Sequence, residues 1–160
     1  MPSLNKLITA AIIALAITTP AQAQTPATEH NHGHDEHGAS ALTLDHGKKW
    51  QTDEALRQGM QSIRTEVMNH VDAFHHNQLT QANAEKIAKH INDQIGFIAS
   101  QCKLKLEADA ALHVIIGELL TAAEALTKDP QSMQGLPAMV GALQQYPEYF
   151  EHKGWGGVAH

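Results

Sequence analysis

Apolar residues recur at steps of three and four from Leu42 onward, and this spacing constrains the fold more than any other feature of the chain. The clearest run follows Thr52 and comprises Leu56, Met60, Ile63, Val67, Val71 and Phe74. Steps of three and four place side chains on one face of an α-helix, whereas a half-buried strand alternates at every second residue. No stretch shows sustained strand alternation. The pattern predicts an all-α fold.

Helix start and stop signals divide this periodic region into four segments. Thr52 suits the cap of the first helix, Asp129-Pro130 ends the third, and Pro137 suits the first turn of the fourth. We predict helices over residues 53–77, 80–101 and 108–127, and a fourth from Met133 or Leu136 that stops before Pro147.

Short connections between long amphipathic helices favour an antiparallel up-down-up-down four-helix bundle, here over residues 42–160. The C-terminal stretch QYPEYFEHKGWGGVAH is rich in aromatic residues and glycine. We expect it to fold back over one end of the bundle, against Trp50.

Residues 1–23 have the composition of a secretory signal peptide. Lys6 precedes an uncharged apolar run from Leu7 to Thr19, and Pro20 precedes an Ala-x-Ala cleavage site at residues 21–23. The run of about 13 residues is shorter than the roughly 20 that span a bilayer. We expect export to a bacterial periplasm without stable membrane insertion after cleavage; an uncleaved anchor is the alternative.

Residues 24–41 are predicted to form a disordered, histidine-rich tail. Within it, the ten residues EHNHGHDEHG contain no large apolar side chain that could nucleate a core. Neutral imidazole is the commonest side-chain metal ligand, and neighbouring carboxylates allow mixed N/O coordination of Cu(II), Ni(II) or Zn(II). The candidate ligands are His30, His32, His34 and His37, with His46 as an extension inside the folded part. A solvated linker without a metal role is the alternative.

A second candidate metal site follows from the predicted helix order. Antiparallel connections would bring Met60 and His113 to the same level, with Cys102 about one turn further out. A thioether, a thiol and an imidazole are ligands that select Cu(I) or Zn(II). The alternative is structural: Met60 and Cys102 as core residues, and His113 paired with Asp109 four residues earlier.

Charge and motif content exclude several classes of function. The formal net charge is −6, which argues against nucleic acid as a partner. A single cysteine rules out an internal disulfide, although Cys102 could link two chains, so the chain is a monomer or a dimer. The sequence lacks C-x-x-C, H-E-x-x-H, G-x-S-x-G and P-loop motifs, and we therefore expect a non-enzyme.

Four predicted helices behind an export signal resemble the cytochrome b562 and cytochrome c′ class in layout. Members of the c type attach haem through C-x-x-C-H, which is absent here. A b-type site would need Met60 and His113, but that class takes its histidine from the fourth helix, which has none before His152. The segments LTLDHGKKWQTDEALRQGMQSIR, CKLKLEADAALHVII and QQYPEYFEHKGW also resemble small exported bacterial proteins of uncertain role.

Taken together, these features predict a periplasmic metal-binding protein that buffers copper or zinc, or nickel, or delivers the ion to a protein partner. The competing hypothesis is a non-catalytic interaction module whose histidine-rich linker is incidental. A b-type haem or electron-transfer bundle is a third hypothesis.

Overall fold

A computed structural model describes residues 42–156, and 68% of these residues are helical. The predicted signal peptide and tail lie outside the described residues. The prediction of a mainly helical fold is confirmed, since the described residues contain two strands of only two residues each. The elements in chain order are β1 (Trp50–Gln51), α1 (Glu54–Met68), α2 (Val71–His75), α3 (Gln81–Gln101), α4 (Leu106–Lys128), α5 (Leu136–Tyr149) and β2 (Phe150–Glu151).

The four long helices pack in chain order, α1 on α3, α3 on α4 and α4 on α5, with a smaller contact between α1 and α5. Their apolar faces form one core, in which each buried aliphatic side chain contributes about 1.5–3 kcal/mol. The largest fully buried side chains come from all four helices and β2: Leu56, Met60, Ile63, Ile87, Ile91, Ile98, Leu112, Ile115, Leu119, Leu126, Tyr146 and Phe150.

The first helix is shorter than the apolar spacing predicts. It ends at Met68, and the separate helix α2 carries Phe74. The imidazole Nδ1 of His70 lies 2.9 Å from the carbonyl oxygen of Glu66, the oxygen that a continuing helix would offer to the His70 amide. That amide donates to Val67 O instead. The α-helical hydrogen-bond pattern is therefore interrupted at His70.

The last helix is longer than predicted, because Pro147 lies inside α5 rather than after it. Proline lacks the N–H that would bond to the preceding turn, but the loss is small this close to the helix end. Tyr146 and Phe150 on either side are buried and stack on each other with ring centroids 5.1 Å apart. Packing of these aromatic rings therefore outweighs the local effect of the proline.

The C-terminal segment returns to Trp50, as the sequence analysis expects. Trp50 and Gln51 pair in parallel with Phe150 and Glu151. Thr52 Oγ1 donates a 2.7 Å hydrogen bond to Glu151 O. The residues that enter the first helix and those that leave the last are thus held together at one end of the molecule.

Candidate functional site

The histidine-rich tract, defined here as residues 29–38, lies outside the described residues. His30, His32, His34 and His37 therefore stay predicted ligands, on the evidence of their spacing in the sequence.

His46 is the one predicted ligand of the tract site that lies within the described residues. It lies in a turn closed by paired hydrogen bonds between Asp45 and Lys48, and its backbone has the left-handed φ of +49°. Its side chain is 98% exposed, and its Nε2 lies 3.9 Å from Asp45 Oδ1. Because this imidazole is exposed and lies beside a carboxylate, it can bind a metal ion without any rearrangement of the buried core.

Met60 and His113 occupy different environments. Met60 has no exposed surface and lies in the core. The side chain of His113 is 65% exposed, and its Nδ1 lies 2.8 Å from Asp109 O and 3.4 Å from Asp109 Oδ2. The histidine thus faces solvent on α4 and has the helix partner that the structural alternative requires.

Cys102 is half-buried at the C-terminus of α3, where it meets the N-terminus of α1. Burial and the carboxylates of Asp53 and Asp109 raise the pKa of the Cys102 thiol to about 12. A thiol with so high a pKa stays protonated at neutral pH and is a poor nucleophile.

Asp53 is the residue that joins these two helix ends. Its Oδ1 accepts the amide of Leu56 as the N-cap of α1, and its Oδ2 accepts the amide of Lys103 just after α3. Partial burial opposes ionisation, but these two amides, the Cys102 thiol and Arg57 together hold the pKa of Asp53 below its usual value. The sequence analysis assigned this cap to Thr52.

Within residues 42–156, no three His, Cys, Asp or Glu side chains come together as a metal site. The structure places Met60 in the core, Cys102 beside a carboxylate and His113 in solvent. Cys102 hydrogen-bonds to Asp53, whose carboxylate also accepts the amides of Leu56 and Lys103.

An aromatic cluster that was not predicted from the sequence lies at the C-terminal end of the described chain. Tyr146 Oη lies 3.1 Å from His152 Nδ1, and Trp155 packs against both rings at centroid distances of 4.8 and 4.9 Å. The Arg64 guanidinium lies 5.5 Å from the centre of the Trp155 ring. The number of aromatic residues in this segment could be seen in the sequence. Which of the rings come into contact depends on how the chain returns to α1.

Comparison of the chain with protein-family models, with curated proteins and with solved structures finds no match.

Proposed function

We propose that this chain is an exported, non-catalytic metal-binding protein that takes up copper, zinc or nickel through its histidine-rich tract. The observation that carries the proposal is the presence of four histidines and three acidic residues within residues 29–38. A chain segment with these ligands can wrap an ion with adaptable N/O coordination, and its preference among metals follows the Irving–Williams order. Buffering of the ion, or its transfer to a periplasmic protein, is the role that we propose.

The helical part acts in this proposal as a scaffold. A Cu(I) site made of Met60, Cys102 and His113 finds no support in the surroundings of two of these residues, because the thioether is enclosed in the core and the imidazole faces solvent. The same surroundings give no support to a haem held by Met60 and His113. We propose that His46, which is exposed and lies beside Asp45, is the residue of the folded part that joins the tract.

We further propose that the scaffold is an antiparallel up-down-up-down four-helix bundle. Three contacts between successive helices support this. Ser62 meets His90 near the middle of α1 and α3, whereas Asp53 at the start of α1 meets Lys103 just after α3. Gln81 at the start of α3 bonds to Thr127 at the end of α4. Neighbours that pair in reverse order along the chain indicate opposite helix directions.

Metal titration tests the proposal. Calorimetry with Cu(II), Ni(II) and Zn(II), and competition assays with Cu(I), would be run on the protein from Gln24 onward and on a variant that lacks residues 24–40. We expect high-affinity binding to be lost with the deletion. Retention of one tightly bound Cu(I), abolished by Cys102→Ser, would instead establish a site in the helical part.

A matched pair of double variants controls for the general effect of removing imidazoles. His32→Gln with His34→Gln should lower the affinity about tenfold or more, because two ligands of one ion are lost. His75→Gln with His76→Gln removes two exposed imidazoles from the helical part and should leave the affinity unchanged. Equal losses in both variants would contradict binding by the tract.

A non-catalytic interaction module is the second candidate, favoured by the outer surface of α4. By length and composition, α4 is apolar enough to cross a membrane. Of its most apolar window, 39% is buried inside the protein, so much of this apolar helix faces outward. Leu106 is 80% exposed and Leu120 is 37% exposed on it. If the chain is an interaction module, a metal-dependent phenotype of the cell should survive deletion of residues 24–40. If the chain is a metal-binding protein, the phenotype should disappear with the deletion.

A further inference from the structure

The five residues His152–Gly156, termed the C-terminal strap, are attached to the helices by a small set of contacts around one imidazole. His152 is half-buried, with its ring edge-on to Tyr146 and tilted against Trp155. Tyr146 has no exposed surface. Trp155 Nε1 is buried and has no hydrogen-bond partner among the described residues, which weakens the attachment. The strap is therefore held by the rings that meet at His152 and by the Arg64 guanidinium over the Trp155 ring.

The groups that face this imidazole favour its neutral form. Burial comes first, followed by the guanidinium groups of Arg57 and Arg64 on α1, and together they lower the pKa of His152 below its usual value. Glu54 on α1 acts in the opposite direction but more weakly than Arg57. On α5, the facing titratable group is the Tyr146 hydroxyl, whose pKa burial raises, so it stays protonated.

Chain neighbours complete this set of charges, since Glu151 and Lys153 flank His152 in sequence with opposite signs. In the neutral imidazole with its proton on Nε2, Nδ1 accepts the Tyr146 hydroxyl proton. The charged ring has donors on both nitrogens. The Tyr146 hydroxyl would then have to turn, and its own proton would lose this acceptor within a buried site.

We propose that the C-terminal strap is a pH-sensitive attachment, which protonation of His152 loosens from α1 and α5. Loosening of the strap would also affect the residues just before α1, because Phe150 and Glu151, immediately before the strap, pair with Trp50 and Gln51. Loosening the strap thus weakens the anchor of the residues that lead from the histidine-rich tract into the first helix. The proposal does not depend on metal binding by that tract.

The sign of the effect follows from proton linkage. A released strap exposes His152 to water, where its pKa returns to about 6.5. Since the docked strap binds the proton less tightly, the docked state is fully favoured above pH 6.5 and loses stability as the pH falls through the lower, docked pKa. The ratio of released to docked strap rises about tenfold for each unit that separates the two pKa values.

Fluorine NMR of the protein labelled with 5-fluorotryptophan tests this directly, because the chain has two tryptophans. Trp155→Phe assigns the two resonances. We expect the Trp155 resonance to move toward its solvent-exposed position, with a growing H₂O/D₂O isotope shift, as the pH falls from 7.5 to 4.5. The midpoint should lie below 6.5. A Trp155 resonance that stays unchanged over this range would overturn the proposal.

His152→Gln keeps a polar acceptor for Tyr146 but cannot become charged, so its Trp155 resonance should be independent of pH. His75→Gln, which removes an exposed imidazole from α2, should titrate like the parent protein. A His152→Gln variant with the parental pH response would refute the role of His152. If that variant does not fold, the ring carbon and proton shifts of His152 in the parent decide the matter: a pKa of 6.5 or above is incompatible with the proposal.

Discussion

Asp53 shows how one side chain can serve two helices. Each of its carboxylate oxygens accepts a different backbone amide, one from Leu56 in the first turn of α1 and one from Lys103 after the end of α3. The Leu56 amide is one of the orphan donors of a helix start, and the Lys103 amide lies in an exposed connection. Asp53 therefore fixes the separation between the two helix ends.

Two substitutions separate the roles of Asp53. Asp53→Ala removes both acceptors and should lower the free energy of unfolding by about 2 kcal/mol, as measured by urea denaturation at pH 7. Asp53→Asn keeps a cap for Leu56 but turns an amide group toward Lys103, and should cost about 1 kcal/mol. Since the folded pKa of Asp53 is lowered from 3.8, its contribution is present above that pH and is lost as the pH falls through the folded value.

Asp93→Asn is the matched control, because it removes an exposed carboxylate that pairs with Lys89 on the surface of α3. It should change the free energy of unfolding by less than about 0.5 kcal/mol. Equal effects of Asp53→Asn and Asp93→Asn would mean that the bond to Lys103 contributes no measurable stability.

Cys102 is expected to resist alkylation. With a pKa near 12 against an ordinary 9.0, the thiolate fraction at pH 8 is about a thousandfold lower than in the unfolded chain. Iodoacetamide labelling followed by mass spectrometry should therefore be at least about a hundredfold slower in buffer than in urea. In Asp53→Ala, loss of the neighbouring carboxylate should speed the labelling. A folded protein that labels as fast as the unfolded one would contradict the protonated, half-buried thiol.

At the scale of the elements, α1 and α3 approach each other closely at Gly59. A methyl group built on Gly59 would overlap Ile98, with 2.7 Å to its Cδ1. Glycine is required here by the neighbouring helix rather than by its own backbone angles. The spacing of apolar residues shows which face of α1 is buried, but it gives no sign of how near the partner helix comes.

Gly59→Ala should destabilise the protein by about 1–3 kcal/mol through overpacking, as measured by urea denaturation. Ile98→Ala in the same chain removes the clashing atoms, so the double variant should lose less than the sum of the two single changes. Gly96→Ala on α3 is the control, because no atom lies within 4 Å of the added methyl group. It should stabilise the protein by about 0.5–1 kcal/mol, since alanine favours helix. A stabilising Gly59→Ala would mean that α1 and α3 are further apart.

At the scale of the whole molecule, the buried core of the described chain runs from Trp50 to Phe150. The described core residues all follow Leu42, and the histidine-rich tract contains no large apolar side chain. Deletion of residues 24–40 should therefore leave the far-UV circular dichroism and, within about 0.5 kcal/mol, the metal-free unfolding free energy unchanged. A clear loss of cooperativity in urea would show that the histidine-rich tract also belongs to the fold.

The helical class, three of the helix starts to within two residues and the return of the C-terminus to Trp50 could be predicted from the sequence. Apolar spacing and capping residues act within a few residues of one another, so they can be read along the chain. The break before α2 and the passage of α5 through Pro147 could not be predicted. Neither the change in backbone hydrogen bonding at His70 nor the stacking of Tyr146 on Phe150 follows from apolar spacing or capping residues.

For the candidate sites, local sequence determined the histidine-rich tract, because ligand type and spacing within ten residues are properties of the chain alone. Tertiary structure decided the rest. The surroundings of Met60, Cys102 and His113, the double role of Asp53 and the cluster around His152 all depend on the side chains that other elements bring near. Solvent exposure, pKa and ring contacts are set by those neighbours, and neighbours distant in sequence become known when the helices are packed.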